Sequence, residues 1–124
     1  NKYCKDKIFK IDNEIFGISG AINDCFDFIK FYRGEIKNLQ KNLNFEVLVI
    51  DKNGKCYSFT NHNYDKRFCE INNDYYCCGS GGALANCIIK YQQENEKKVN
   101  IEKVIKAVSK VDVYTNDIVK NIKF

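Results

Sequence analysis

The chain has 124 residues and a formal net charge of +4, with 44% hydrophobic and 29% charged residues. This composition is typical of one modest globular domain spanning residues 1–124, and it excludes both a disordered tail and a two-domain enzyme. Acidic and basic residues alternate in sign along most of the sequence, without the basic stripe that nucleic-acid binding needs, and no apolar window approaches the ~18 residues of a membrane span.

The first third of the sequence predicts a hairpin followed by a helix. Apolar residues on either side of Asp12-Asn13, between Ile8 and Ser19, indicate two short strands joined by a turn. Gly34 suits the position that follows the last turn of a helix, and the polar segment 35–44 is expected to be a loop. The helix itself is indicated by apolar residues at i, i+3, i+4 and i+7, namely Ile22, Cys25, Phe26 and Ile29.

The middle of the sequence predicts two further hairpins. Phe45–Ile50 and Cys56–Thr60 are strand-like, and Asn53-Gly54 between them favours a tight turn because this pair tolerates positive φ. After a polar connection that contains His62, a second hairpin is expected, with the strands Phe68–Ile71 and Tyr75–Cys78.

The last part of the sequence predicts two helices and a closing strand, Val111–Asn116. The first helix follows Gly79-Ser80-Gly81-Gly82 and has a predicted buried face of Leu84, Cys87, Ile88 and Tyr91. Asn100 can cap the second helix, whose apolar positions are Ile101, Val104, Ile105 and Val108. Hairpins separated by helices predict an α+β fold with antiparallel sheets covered by helices on their outer faces.

The seven cysteines are scattered and odd in number, which argues against a disulfide framework. Cys77 and Cys78 are adjacent and would point to opposite faces of a strand, there is no C-x-x-C pair, and His62 is the single histidine. We therefore expect small apolar packing roles for most cysteines in a reducing, cytoplasmic compartment, with no metal and no cofactor.

The turn Gly79-Ser80-Gly81-Gly82 is the most informative local feature, because small residues between a strand and a helix let backbone amides approach a ligand closely. One use is an anion site, formed by Gly79, Ser80, Gly81 and Gly82 at a helix N-terminus, that would bind phosphate, carboxylate or a nucleotide-like ligand. Another is an oxyanion contact during acyl transfer. The third interpretation is a tight turn that requires glycine for steric reasons.

Several segments together resemble the proteasome β subunits and the bacterial HslV peptidase, which are N-terminal-nucleophile (Ntn) hydrolases. The likeness covers nearly the whole chain in the family's order. It rests on Lys-x-Lys-Ile-Phe-Lys-Ile at 5–11, Ile-Phe-Gly-Ile-Ser-Gly at 15–20, the hairpin at 46–55, Tyr-Tyr-Cys-Cys-Gly-Ser-Gly-Gly-Ala-Leu-Ala at 75–85 and Asp-Val-Tyr-Thr-Asn at 112–116.

This resemblance implies an αββα sandwich and a threonine-peptidase site. The family's nucleophile is an N-terminal Thr whose α-amino group acts as base, beside a lysine. By position, Lys5 would be that lysine, with Lys7 as the second choice, and Ser80 would help to organise the amine. Asp112 and Thr115 would take the places of the supporting Asp and Ser.

The family places the Thr, a first hairpin and an Asp before the lysine strand, whereas this sequence begins four residues before Lys5. Asn1 has no nucleophilic side chain, Cys4 is internal, and the sequence contains no Met. We therefore expect a processed or truncated chain that lacks its first hairpin and is inactive alone. Peptide-bond hydrolysis would require an N-terminal Thr segment upstream or on another chain.

The resemblance also implies a homo-oligomer, either a dimer or a ring, and an AAA+ unfoldase partner if the likeness to HslV extends that far. Two other functions stay open: a non-catalytic protein that binds an anionic or nucleotide-like ligand at the glycine turn, and an inactive structural ring subunit. Neither nucleic acid nor a membrane is an expected partner. The richness in Lys, Asn and Ile suggests an AT-rich genome, as in several bacteria and phages.

Overall fold

The structure is a computed structural model that describes residues 7–96 and 98–112. The chain divides into two compact units, one ending at Asn72 and one beginning at Asn73. In these described ranges, no helix combines the length and the apolar character needed to cross a bilayer.

The first unit is built on a five-stranded antiparallel sheet whose strands are neighbours in chain order. The strands are β1 (Ile8–Ile11), β2 (Glu14–Gly20), β3 (Phe45–Ile50), β4 (Cys56–Thr60) and β5 (Glu70–Ile71). The predicted hairpins β1–β2 and β3–β4 are confirmed. The register places Phe16 opposite Val49 and Val49 opposite Tyr57, so alternate apolar residues of neighbouring strands share one face of the sheet.

Helix α1 (Ile22–Tyr32) packs its buried residues Cys25, Phe28 and Ile29 with the apolar strand residues in one core. Phe28 is at the centre of an aromatic cluster, with ring centroids 4.6 Å from Phe45 and 5.2 Å from Phe59. The sequence pattern predicts Phe26 in this stripe instead of Phe28. Phe26 lies at the edge of the core, partly exposed, where its ring stacks on Phe9 at 5.4 Å.

The end of α1 and the following loop agree with the sequence. Gly34 has φ of +79°, which is the left-handed conformation that glycine adopts readily after a helix. The segment 35–44 is a loop, and it contributes the buried Leu43 to the core. The loop is also attached to α1, because the Asn44 N–H donates to Asp24 Oδ2 at 2.8 Å.

The predicted hairpin with strands Phe68–Ile71 and Tyr75–Cys78 is wrong. Asp65 caps a short 3-10 helix, Lys66–Phe68, by accepting from the Arg67 N–H, so only Glu70–Ile71 is left to form a strand. That strand pairs with β4, and residues 72–78 are outside any strand. The side chain of Asp65 thus directs the backbone into a turn where the apolar pattern predicts an extended strand.

The second unit contains a helical hairpin of α2 (Gly82–Asn95) and α3 (Ile101–Ser109), joined by a short connection. The predicted buried face of α2 is wrong, because Leu84, Cys87 and Tyr91 are exposed. The two helices instead meet through Ile89, Val104 and Val108, with Ala85 and Ile88 packed against them. In α3, Val104 and Val108 are buried as predicted, whereas Ile101 is exposed.

Asn100 caps α3 as predicted, since its side chain accepts from the Lys103 N–H at 3.1 Å. Gln92 of α2 is buried, and its Oε1 accepts from the Asn100 N–H at 2.9 Å. A polar residue is therefore buried in the helical hairpin because it satisfies the backbone donor of the next helix cap.

Candidate active site at the glycine turn

The glycine turn that precedes α2 is a close backbone turn, in which the Gly82 N–H donates to the Gly79 carbonyl at 3.0 Å. Gly79 has φ of +87°, a conformation that L side chains rarely adopt. At Gly82, a Cβ atom would lie 3.3 Å from the Cys77 carbonyl oxygen, so a side chain there would press on the backbone. Steric constraints alone therefore favour glycine at two of the three glycine positions of the turn, Gly79 and Gly82.

Ser80, the non-glycine residue of the turn, donates a hydrogen bond from Oγ to Asp112 Oδ2 at 2.6 Å. The two residues are 32 positions apart in the sequence. Helices α2 and α3 run in opposite directions after a short connection, so the start of α2 and the end of α3 lie at the same end of the hairpin. The helical hairpin thus brings together two residues that the family resemblance selects independently.

The last turn of α3 positions Asp112. Its backbone N–H donates to the Val108 carbonyl at 2.9 Å, and the Val111 N–H donates to the same carbonyl at 3.0 Å. The Asp112 side chain is half-buried, whereas Ser80 is exposed. The carboxylate lies by the residues that lead into the N-terminus of α2, where the helix dipole favours negative charge.

This arrangement can orient a proton. A serine hydroxyl that donates to a carboxylate keeps its own lone pairs available to accept from a second donor, such as an amine. The short Oγ to Oδ2 distance is that of a charge-assisted hydrogen bond, which fixes the hydroxyl direction. Ser80 and Asp112 together have the chemistry to support a neighbouring amine, although neither is an activated nucleophile.

Of the other predicted site residues, Lys5 and Thr115 lie outside the described residues. Lys7, the second choice for the lysine, is exposed just before β1, and its carbonyl accepts from the Ile18 N–H at 2.8 Å. The catalytic roles of Lys5, Ser80, Asp112 and Thr115, and ligand binding at Gly79, Ser80, Gly81 and Gly82, remain predictions.

Four of the described cysteines are buried or half-buried and have the character of packing residues, whereas Cys87 is exposed. Burial raises the pKa of the Cys25, Cys56, Cys69 and Cys77 thiols above the ordinary value, so these four thiols stay protonated at neutral pH. Within residues 7–96 and 98–112, no group of three or more His, Cys, Asp or Glu side chains is arranged to hold a metal ion.

The first unit has a concave groove that the sequence pattern does not predict. A groove of about 550 Å³ lies between the C-terminal part of α1 and the segment after β4, and Tyr32, Tyr64 and Lys66 are among its lining residues. In the sequence, Tyr64 and Lys66 belong to a polar connection. The sequence feature that could have indicated the groove is the series of aromatic residues that continues from Tyr57 and Phe59 into this connection.

Comparison with solved structures identifies the class of fold. The chain is similar to the crystal structure of eukaryotic HslV from Trypanosoma brucei, with a TM-score of 0.65 and 16% sequence identity. The similarity covers 90% of this chain and 76% of that chain. No family model and no curated protein matches the sequence.

The chain therefore has an HslV-like fold, with mixed α and β structure and an antiparallel five-stranded sheet. The identity is low, so this similarity concerns the fold alone. The complete αββα sandwich, with a second sheet and a second helix layer, remains a prediction.

Proposed function

We propose that this chain forms the supporting part of a proteasome/HslV-like threonine-peptidase site. Peptide-bond hydrolysis then depends on an N-terminal Thr that is supplied either upstream in the same gene product or by another chain. The observation that carries the proposal is the 2.6 Å hydrogen bond from Ser80 to Asp112, on a chain with an HslV-like fold.

The role of the pair follows from the needs of an N-terminal nucleophile. A threonine hydroxyl is a weak nucleophile at neutral pH, so the α-amine must be neutral and must face the hydroxyl to remove its proton. Ser80 can accept a hydrogen bond from that amine while Asp112 holds the Ser80 hydroxyl. Lys5 would add the positive charge that favours the ionised hydroxyl.

Mass spectrometry of the intact gene product from its source tests the supply of the nucleophile. We expect a mature species that begins with Thr about 28 residues before Asn1, a distance taken from the family register. A mature start at Asn1, with no copurifying chain that has an N-terminal Thr, would remove the basis for peptidase activity.

Hydrolysis of fluorogenic peptides tests the pair itself, in the form that carries the N-terminal Thr. We expect Ser80→Ala and Asp112→Asn each to lower kcat about 10²-fold, with a smaller change in KM, because a misplaced general base affects the chemical step. Ser109→Ala and Asp74→Asn are matched controls in the second unit, and both should retain full activity. Equal activity of all four variants would contradict the proposed role.

A non-catalytic anion site at the glycine turn is less well supported. The Asp112 carboxylate is hydrogen-bonded to Ser80 within this turn, and an incoming phosphate would add a second negative charge beside it. Calorimetry with phosphate and nucleotides on the 124-residue chain addresses this alternative. Binding that is lost in Ser80→Asp and Gly81→Asp would favour it over the peptidase.

A further inference from the structure

The two helices of the second unit enclose a groove on one side of their hairpin, with a volume of about 440 Å³. The α2 side of this groove is largely apolar, because the exposed Tyr91 and the half-buried Ile88 both line it. Ala107 of α3 adds further apolar surface between the helices. An exposed tyrosine in a concave, apolar setting is typical of surfaces that bind other proteins.

The α3 side of the groove is basic. Lys103, Lys106 and Lys110 line it at i, i+3 and i+7, a spacing that places side chains on one face of a helix. Between the first and the last of these lysines the helix rises about 10 Å, at ~1.5 Å per residue. The three residues therefore form a lysine row two helical turns long, which suits an elongated ligand better than a small anion.

The groove stays positively charged after its acids are counted. Glu102 pairs with Lys106 at 3.0 Å, and Glu96 lines the groove where α2 ends. Neither Lys103 nor Lys110 belongs to an ion pair among the described residues. Three lysines against two acids leave one positive charge in excess, and Glu96 lies at the end of the hairpin opposite to Lys110.

The same sign holds for the helical hairpin as a whole. Residues 79–112 contain six lysines and four acids. Among the charged residues outside the groove, Lys90 and Glu94 of α2 are opposite in sign, and Asp112 accepts the hydrogen bond from Ser80. An excess of positive charge beside apolar surface favours a partner that is acidic on one side and apolar on the next.

From this arrangement we infer that the groove docks an acidic amphipathic helix of a partner protein. The apolar face of that helix packs on Ile88, Tyr91 and Ala107, and acids along one flank bind Lys103 and Lys110. Helices bind in grooves of this kind through apolar residues at i, i+3 or i+4, and i+7, which repeat over the same two turns as the lysine row. The groove uses none of the residues proposed for peptide hydrolysis, so either proposal can fail without the other.

The chain itself offers no comparable acidic segment for this groove. Residues 113–124 contain one acid, Asp117, and two lysines, so their charge does not complement the lysine row. A second copy that docked groove to groove would bring its own lysine row to the contact, and like charges would then face each other. Charge complementarity therefore favours a different protein as the occupant.

The probe is a capped helical peptide of about 15 residues, with Leu at i, i+4, i+7 and i+11, Glu directly after each Leu, and Ala and Gln elsewhere. It is titrated into the isotopically labelled 124-residue chain and followed by two-dimensional NMR. We expect saturable shifts of the backbone amides of Ile88, Tyr91 and Lys106. The same peptide with Gln in place of Glu should bind about five-fold more weakly, because exposed ion pairs are lost. Absence of these shifts up to ~1 mM acidic peptide, or equal binding of the two peptides, would overturn the inference.

Two variants separate the contributions of charge and apolar surface. Lys103→Gln with Lys110→Gln should weaken the acidic peptide about five-fold and leave the Gln peptide unchanged. Tyr91→Ala should weaken both peptides about five-fold, because it removes apolar contact area. Lys90→Gln with Lys98→Gln is the matched control, since both lysines are exposed and neither lines the groove. Equal weakening by the two double variants would indicate non-specific attraction and overturn the docking site.

Two further measurements test other occupants of the groove. Inorganic phosphate at the same concentration should leave the amides of Ile88 and Tyr91 unshifted, whereas shifts equal to those from the acidic peptide would assign the groove to a small anion. Sedimentation velocity of the variant Lys103→Gln with Lys110→Gln should match that of the wild-type chain. Loss of self-association in this variant would assign the groove to a second copy and overturn the inference.

Discussion

The hydroxyl of Tyr32 couples the stability of the first unit to alkaline pH. Burial raises the pKa of Tyr32 far above its ordinary value of 10.0, and the hydrogen bond to Glu14 Oε2 raises this pKa further. In the unfolded chain the same hydroxyl ionises at its ordinary pKa. The stabilisation from Tyr32 is therefore complete below about pH 10 and is lost as the pH rises above that value.

We predict that Tyr32→Phe makes the unfolding free energy less sensitive to pH above 10. Urea unfolding between pH 8 and pH 11 measures this, and the free energies of wild type and variant should converge by at most ~1.4 kcal/mol per pH unit above pH 10, because one proton is involved. Tyr75→Phe removes the hydroxyl of an exposed tyrosine and serves as the control. Parallel curves for wild type and Tyr32→Phe would show that the Tyr32 hydroxyl does not carry the effect.

A second residue-scale prediction concerns Asp51, which closes the β3–β4 turn. Its Oδ1 accepts from the N–H groups of Asn53 and Lys55, both at 2.9 Å, and its side chain is buried. Asp51→Ala should lower the unfolding free energy by about 1 to 3 kcal/mol, since two backbone donors lose their acceptor. Asp51→Asn keeps an oxygen in place and should cost clearly less, by the same urea titration. Similar losses in both variants would assign the effect to the charge.

Among the elements, α3 depends on a cap that α2 supports. Asn100 accepts from the Lys103 N–H through its side chain and donates its own N–H to the buried Gln92. Asn100→Ala should cost about 1 kcal/mol of unfolding free energy, and Asn100→Ser, which can still cap, much less. Thermal unfolding followed by circular dichroism measures both, with Asn86→Ala on the exposed side of α2 as the control. If Asn100→Ala unfolds at the same temperature as Asn86→Ala, the Asn100 cap does not contribute to stability.

The elements also show where local sequence information is sufficient. The turn at Asn53-Gly54 and the end of α1 at Gly34 are predictable because the conformation is decided by a few adjacent residues. The 3-10 helix after Asp65 is equally local, but there a polar side chain competes with the strand pattern for the same backbone. The apolar pattern alone does not show whether the backbone forms the 3-10 helix or the strand.

The buried face of α2 could not be predicted for a different reason. Periodicity identifies apolar residues, but the partner helix decides which of them are covered. Here α3 covers Ile89 and the polar Gln92, and it leaves Tyr91 exposed. The contact between Ser80 and Asp112 has the same tertiary origin. The glycine motif and the family resemblance select both residues as site candidates, but neither predicts the hydrogen bond between them.

At the scale of the whole molecule, the exposed side of α2 is the feature that bears on assembly. Leu84 and Tyr91 keep 37% and 55% of their surface exposed, and Cys87 lies between them on the same helix. Apolar side chains at helical spacing, left uncovered on a chain of modest net charge, favour association with another surface. This agrees with the homo-oligomer, a dimer or a ring, that the family resemblance implies.

We predict that the chain self-associates and that α2 contributes to the contact. Sedimentation velocity from about 1 µM to 1 mM should show a species larger than the 14.5 kDa chain, and Leu84→Glu with Tyr91→Glu should weaken association at least ten-fold, because two charges would be buried against apolar surface. Gln93→Glu adds negative charge elsewhere on the exposed surface of α2 and is the control, since a general charge effect would act there too. A wild-type chain that stays monomeric across this range would contradict self-association, and a double variant that assembles like Gln93→Glu would place the contact on another surface.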